Sequence, residues 1–160
     1  MSETATLTDS YTEMTQILLP NDTNNLGRAL GGAVLNWMDI CGGIAAMRFS
    51  GRYAVTASMD NVDFKSAIDL GEIVVVKAYV YDTGTTSIEV KVDVHAEDPI
   101  EGTERETTSS FLTFVAIDDD GKPTPVPDLE TATENEVELR KAAIEERREH
   151  RRALGVSEEE

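Results

Sequence analysis

The sequence predicts an α+β fold: a long antiparallel sheet wrapped around one central buried helix, with an extra helix at the C-terminal end. Three observations carry this. The segment Leu30 to Arg48 has apolar residues around nearly its whole helical circumference. Four alternating or valine-rich segments follow it, separated by glycine turns. The closing segment, Glu134 to Leu154, is charged and helical in period. A helix that is apolar on all sides must be enclosed, and a sheet that curls around it is the simplest enclosure.

Taken in order, residues 1 to 9 are polar and are expected to fray. Tyr11 to Leu19 is a strand that closes on Pro20. Asn21-Asp22-Thr23-Asn24-Asn25 is loop chemistry, because Asn and Asp bond their own backbone and tolerate the left-handed region. In the helix, Gly31-Gly32 opens the segment, and Asn36 and Asp39 lie three apart on one face. Gly42-Gly43 interrupts it at about 1 kcal/mol of helix propensity each. That penalty points to close approach of another backbone or of a ligand.

After Gly51 the period changes. Ala54 to Phe64 is a strand with a polar end, and Glu72 to Tyr81 follows the Gly71 turn. From Ser87 to Ala96 the chain alternates: Ile88, Val90, Val92, Val94 and Ala96 on one face; Glu89, Lys91, Asp93 and His95 on the other. That is the pattern of a half-buried antiparallel strand, its polar face solvated. Thr107 to Ile117 is the last strand, and Pro123, Pro125 and Pro127 keep the exit extended. The expected division is one domain over 10–130 and a charged helical extension over 131–160.

Composition narrows the function classes. The formal charge is -17, from 31 acidic and 14 basic residues, spread along the chain. Such a surface repels nucleic acid and anionic membranes. It also suits high salt, where screening removes self-repulsion; an ordinary acidic protein is the alternative. No apolar run approaches the roughly 20 residues of a membrane span. The N-terminus has no basic and apolar leader, so a cytoplasmic location is expected. One cysteine, Cys41, and two histidines, His95 and His150, exclude an intrachain disulfide and an all-His metal site. Cys41 and Trp37 are expected in the core, with an interface the alternative for Trp37.

Strand, Gly-Gly, buried helix and four strands is the order of the hotdog fold. Leu26-Gly27-Arg28-Ala29-Leu30-Gly31-Gly32 with Trp37-Met38-Asp39 resembles the opening of the bacterial and brain-type acyl-CoA hydrolases. Val55 to Phe64 resembles their next strand, and Thr113 to Asp118, Gly121 and the prolines to Pro127 resemble their last strand and its exit. The resemblance covers roughly residues 10 to 130. It implies an acyl-CoA thioesterase that splits fatty acyl-CoA into fatty acid and coenzyme A, with coenzyme A as part of the substrate and no other cofactor. It also implies a homo-oligomer, a dimer at least and larger as three dimers, with sites between subunits. Two departures touch coenzyme A binding. The family often has a basic residue and a proline two and three places after the strand-ending Phe, where Phe64 is followed by Lys65-Ser66-Ala67. It often has Arg where Thr85 stands, beside Thr86.

The resemblance assigns Asp39 as the catalytic carboxylate. A buried carboxylate is unfavourable unless paired or protonated, and a raised pKa would make it a better base. It would activate water or attack the thioester itself; pairing with a neighbouring chain or capping a local amide is the alternative. Gly31 and Gly32 offer the free N–H groups of a helix start to a developing oxyanion, or else simply form a tight entry turn. Asn25, favoured over Asn24, would position water or substrate for the aspartate of another subunit, or belong to an asparagine turn. Thr56 and Ser58 line the same cleft or are plain strand residues. Lys65, Thr85, Thr86, Arg28, Lys91 and the run Arg147, Arg148, Arg151 and Arg152 are phosphate candidates, with pairing to Glu145, Glu146 and Glu149 the favoured alternative for the run. Two further functions fit the fold. One is a non-catalytic acyl-CoA-binding module; the other is a hotdog dehydratase, disfavoured because no His occurs before His95.

Overall fold

The structure, a computed structural model, describes residues 3–155. Among these, a five-stranded antiparallel sheet curls around helix α2 (Gly31–Ser50). Its strands are β2 (Thr12–Ile17), β3 (Tyr53–Met59), β4 (Ile73–Thr83), β5 (Ser87–Glu97) and β6 (Glu104–Ile117), in the order β2-β4-β5-β6-β3. The expected strands and helices are all present, so the hotdog architecture holds.

Strand β5 shows why the sheet forms. Its polar and apolar residues alternate without a break, and Ile88, Val90, Val92, Val94 and Ala96 are all fully buried. They meet Trp37, Met38, Cys41, Ala45 and Phe49 from α2 in one core. Each large side chain so enclosed contributes about 1.5–3 kcal/mol. The helix ends at Gly51, whose φ of 66° is the left-handed stop that glycine adopts freely, with its N–H on Met47 O at 2.9 Å.

Several expectations change. The first described residues are not frayed: β1 (Thr4–Thr6) pairs in parallel with β7 (Asp128–Glu130). A short helix α1 (Leu7–Ser10) then buries Leu7, and Thr6 and Asp9 exchange capping hydrogen bonds. Strand β3 stops at Met59 rather than Phe64. Beyond it the chain follows β6 outside the regular ladder, held by Asp60 N–H to Phe111 O (2.9 Å) and Lys65 N–H to Thr107 O (2.8 Å). Hydroxyls of Ser110 and Thr108 donate to Asp60 O and Asp63 O in the same stretch.

Gly42 is explained by neither backbone nor ligand. A Cβ there would lie 3.2 Å from the Phe114 ring and 3.3 Å from Val92, so glycine lets α2 settle onto β5 and β6. The polar face of β5 is not solvated either. Helix α3 (Glu134–Ala153) crosses it, with Ala143 buried beside Leu7, Tyr79, Tyr81 and Phe111. Lys91 reaches Glu146 at 2.7 Å, and half-buried His95 lies 3.1 Å from Glu104. Among the described residues, no helix is long and apolar enough to cross a membrane.

The sheet encloses only one side of α2. Ile40 and Met47 on its other side stay 44% and 37% exposed, and on edge strand β3 Tyr53 and Val55 are 75% and 47% exposed. The all-round apolarity of the helix therefore exceeds what one chain covers.

Candidate active site

Asp39 projects from the uncovered side of α2, half-buried rather than enclosed. Its carboxylate oxygen Oδ1 accepts a 2.6 Å hydrogen bond from the Thr56 hydroxyl. A hydroxyl this close to a carboxylate fixes its orientation. A β-bulge follows Thr56 and separates it from Ser58. Thr56 pairs with Phe114, a core residue, and so faces the helix. Ser58 pairs with Thr113, whose hydroxyl reaches Glu89 on the outer face. Thr56 and Ser58 thus do not line the same cleft.

At its N-terminal end, α2 begins without a side-chain cap on Leu30. Ala33 and Val34 both donate to Leu30 O, so the first free donors belong to Gly31 and Gly32. The Phe64 ring lies 3.5 Å from where a Cβ of Gly31 would sit, while nothing approaches that position of Gly32 within 4 Å. A ligand therefore has open access to the Gly32 backbone. Gly31 and Phe64 border a cavity of about 310 Å³, lined also by Asn24, Val34, Ile68 and Thr107, with Arg28 at its wall.

The two asparagines separate here. Asn24 Oδ1 accepts from Leu26 N–H (2.9 Å) and Arg28 N–H (3.2 Å), an Asx turn that leaves its amide NH2 available. Asn25 is exposed and does not line the cavity. Phe64 was invisible as a site residue in the sequence, since its approach to Gly31 is set by the course of the chain after Met59.

One chain does not join these two halves. Asp39 lies eight positions after Gly31, about 12 Å along a helix axis. Thr85 and Thr86 are farther still: their carbonyls accept from Val126 and Ala116 at the sheet end where Ile117 pairs with Tyr53. Most phosphate candidates are already engaged. Lys65 pairs with Glu106 at 3.6 Å and Arg28 with Asp69 at 4.0 Å, both exposed. Burial works against the charge of Lys91, but Asp93 and Glu146 outweigh it and raise its pKa above the ordinary value. Of the arginine run, Arg148 meets Glu145 within the helix, whereas Arg147 and Arg151 reach out of it to Asp60. Cys41 is core: burial pushes its thiol up to about 11.

Comparison with known proteins supplies the family. Residues 26–103 match the Thioesterase superfamily. An uncharacterized acyl-CoA thioester hydrolase of Bacillus subtilis, YkhA, is 40% identical over 143 residues, covering 89% of this chain and 83% of that protein. A crystal structure of an apo-hexameric acyl-CoA thioesterase superposes with a TM-score of 0.85 at 39% identity, covering 97% of this chain and 99% of that one. An acyl-CoA hydrolase from Staphylococcus aureus, solved with butyryl coenzyme A, coenzyme A and coenzyme A disulfide, gives 0.82 at 34% identity, covering 95% and 94%. Further structures of that enzyme carry alanine in place of an asparagine, an aspartate or a threonine. Those three positions are spaced along its chain as Asn24, Asp39 and Thr56 are spaced here. The chain belongs to the hotdog-fold acyl-CoA thioester hydrolases of the Thioesterase superfamily.

Proposed function

We propose that this protein hydrolyses fatty acyl-CoA to a fatty acid and coenzyme A, at sites built from two subunits. The observation that carries the reading is the Asp39–Thr56 hydrogen bond on a helix face that one chain leaves uncovered. Asp39 of one subunit takes a proton from water, whose oxygen attacks the thioester carbonyl carbon. The Gly32 N–H of the other subunit stabilises the resulting oxyanion at the positive end of α2. Collapse expels the sulfur, which leaves with the proton as the coenzyme A thiol. Direct attack by Asp39, giving a mixed anhydride that water then opens, uses the same groups.

Asn24 is the better candidate for the amide that orients water or the carbonyl. It lines the cavity beside Gly31 and matches the spacing seen in the S. aureus enzyme. Arg28, with Lys65, Thr85 and Thr86 from other parts of the chain, supplies candidates for the coenzyme A moiety. The chemistry draws on no metal or further cofactor. The exposed side of α2 and the β3 edge are covered by a second copy, because an open apolar edge otherwise invites unspecific pairing. Three such dimers would make a hexamer, and a solved relative is described as hexameric. The dispersed charge of -17 fits a cytoplasm of high salt. A melting temperature that rises in molar KCl supports that setting, and a flat response removes it.

The test is release of free thiol from a panel of acyl-CoAs, from acetyl to palmitoyl, by the wild type and by Asp39→Asn. Turnover that falls on the order of 10²–10⁴-fold in a folded, oligomeric variant supports the reading. Tight binding of acyl-CoA without turnover replaces it with a non-catalytic binding module.

A further inference from the structure

The C-terminal helix makes an ionic contact outside the site described above. Arg147 Nε lies 3.6 Å from Asp60 Oδ2, and Arg151, one turn later, lies 3.5 Å from Asp60 Oδ1. All three side chains are largely enclosed, at 19%, 21% and 13% exposure. Arg147 also donates to Glu89 at 2.8 Å and to the Tyr81 hydroxyl at 3.1 Å. Glu89 in turn accepts from the Thr113 hydroxyl, and Thr113 is the ladder partner of Ser58.

The position of Asp60 gives this contact its meaning. It follows β3 directly, four residues after Thr56 and four before Phe64. Thr56 orients Asp39, and Phe64 lies against Gly31 and lines the cavity. The stretch from Thr56 to Phe64 thus links the half that this chain gives to one site with the half that it gives to the neighbouring site. Past Met59, where the ladder stops, its backbone is tied, among the described residues, to β6 alone, through Asp60 and Asp63, and the ion pairs from α3 fix the Asp60 side chain from the other side.

We propose that Arg147 and Arg151 of α3 are positioning residues that clamp Asp60 and so hold Thr56 and Phe64 in register for catalysis. The inference rests on the thioesterase reading for its catalytic consequence. Holding α3 on the sheet does not by itself call for ions: Leu7, Tyr79, Tyr81 and Phe111 already give its Ala143 an apolar seat. A partly buried ion pair adds little net stability beside an apolar contact of similar size. What the ion pairs add is direction, because two guanidiniums, at 3.6 and 3.5 Å, draw the enclosed Asp60 carboxylate toward α3.

The test uses the full chain with Arg147→Met, Arg147→Lys and Arg151→Met, each confirmed as folded and in the wild-type oligomer. Thiol release is measured across the acyl-CoA panel, and backbone hydrogen exchange is measured over residues 53–67 and over α2. A misplacement of the order of 1 Å can reduce rate up to about a hundredfold. Arg147→Met is expected to lower kcat on the order of tenfold with KM changed less, Arg147→Lys to recover part of it, and exchange to rise over 53–67 but not in α2. In a Thr56→Val background, Arg147→Met should lower kcat by less than it does alone, because both act through Asp39. Wild-type kcat and unchanged exchange in Arg147→Met overturn the proposal, as does a full multiplicative loss with Thr56→Val. If the wild type turns over no acyl-CoA, the thioesterase reading fails on its own. The exchange pattern then decides the clamp separately. If Arg147→Met does not fold, Arg151→Met and Arg147→Lys decide it by the same criteria.

Discussion

Replacing Thr56 by valine keeps the β-branched shape and removes one oxygen. The lost interaction is the 2.6 Å hydrogen bond to Asp39 Oδ1. A hydrogen bond to a charged group contributes about 1.5–3 kcal/mol when enclosed. Thr56 is exposed in the single chain and Asp39 is half-buried, so the lower end of that range applies. About 1.4 kcal/mol corresponds to tenfold in rate. Thr56→Val should therefore lower kcat about tenfold, and Thr56→Ser, which keeps the hydroxyl, should recover most of it. Fold and oligomer should be unchanged, because β3 is held to β6 by backbone pairing that neither substitution touches. The assay is thiol release from saturating acyl-CoA, with circular dichroism and sedimentation as controls. Thr56→Val at the wild-type kcat would refute the reasoning, since orientation of Asp39 would then not depend on this hydroxyl.

Three other predictions concern the scaffold. Gly42→Ala gains about 1 kcal/mol of helix propensity but forces a methyl to within 3.2 Å of the buried Phe114 ring. Overpacking of this kind costs about 1–3 kcal/mol, so thermal unfolding should show a net loss of stability. Glu72 accepts two hydrogen bonds from Arg105, at 2.7 and 2.8 Å, which hold its carboxyl below its ordinary value of 4.5. The unfolded chain then binds the proton more readily. The pair's contribution is full above about pH 4.5 and is lost as pH falls through the folded-state value. Glu72→Gln should be less stable at neutral pH and lose less on acidification, as read by denaturant unfolding at pH 7 and pH 4. Cys41 is fully buried with its thiol pushed up to about 11, so a thiol-reactive disulfide should label it only as the protein unfolds. Rapid labelling of native protein would contradict that burial.

Legibility in the sequence followed the range of the determining contacts. Strand β5 was readable residue by residue, because alternation is a local property and all five apolar positions face α2. Helix α2 was readable too, although its all-round apolarity pointed to complete enclosure that one chain does not give. Gly42 was singled out as a place where a backbone or a ligand comes close, but the approaching groups are the side chains of Phe114 and Val92, 72 and 50 positions away, which left no local mark. The course of residues 60–67 depends on side-chain bonds from Ser110 and Thr108, and the alternation before it extrapolated as strand. The first described residues looked polar, yet Thr6 and Asp9 form a capping pair and Leu7 fills a gap under α3. At the site, Asp39 and Gly31-Gly32 were visible as residue types out of place in an apolar helix. The choice between Asn24 and Asn25 was not visible, because only the folded turn shows which amide borders the cavity.

The central claim is that each site takes Asp39 from one subunit and the Asn24–Gly32 end of α2 from another. The most direct measurement mixes two inactive variants, Asp39→Asn and Asn24→Ala, after joint unfolding and refolding at equal amounts. In a mixed dimer one site carries both changes and the other carries neither. Random pairing should then restore about a quarter of wild-type activity, with neither variant active alone. No restoration, in a mixture shown to contain mixed oligomers, would place Asp39 and Asn24 in the same subunit's site and contradict the account.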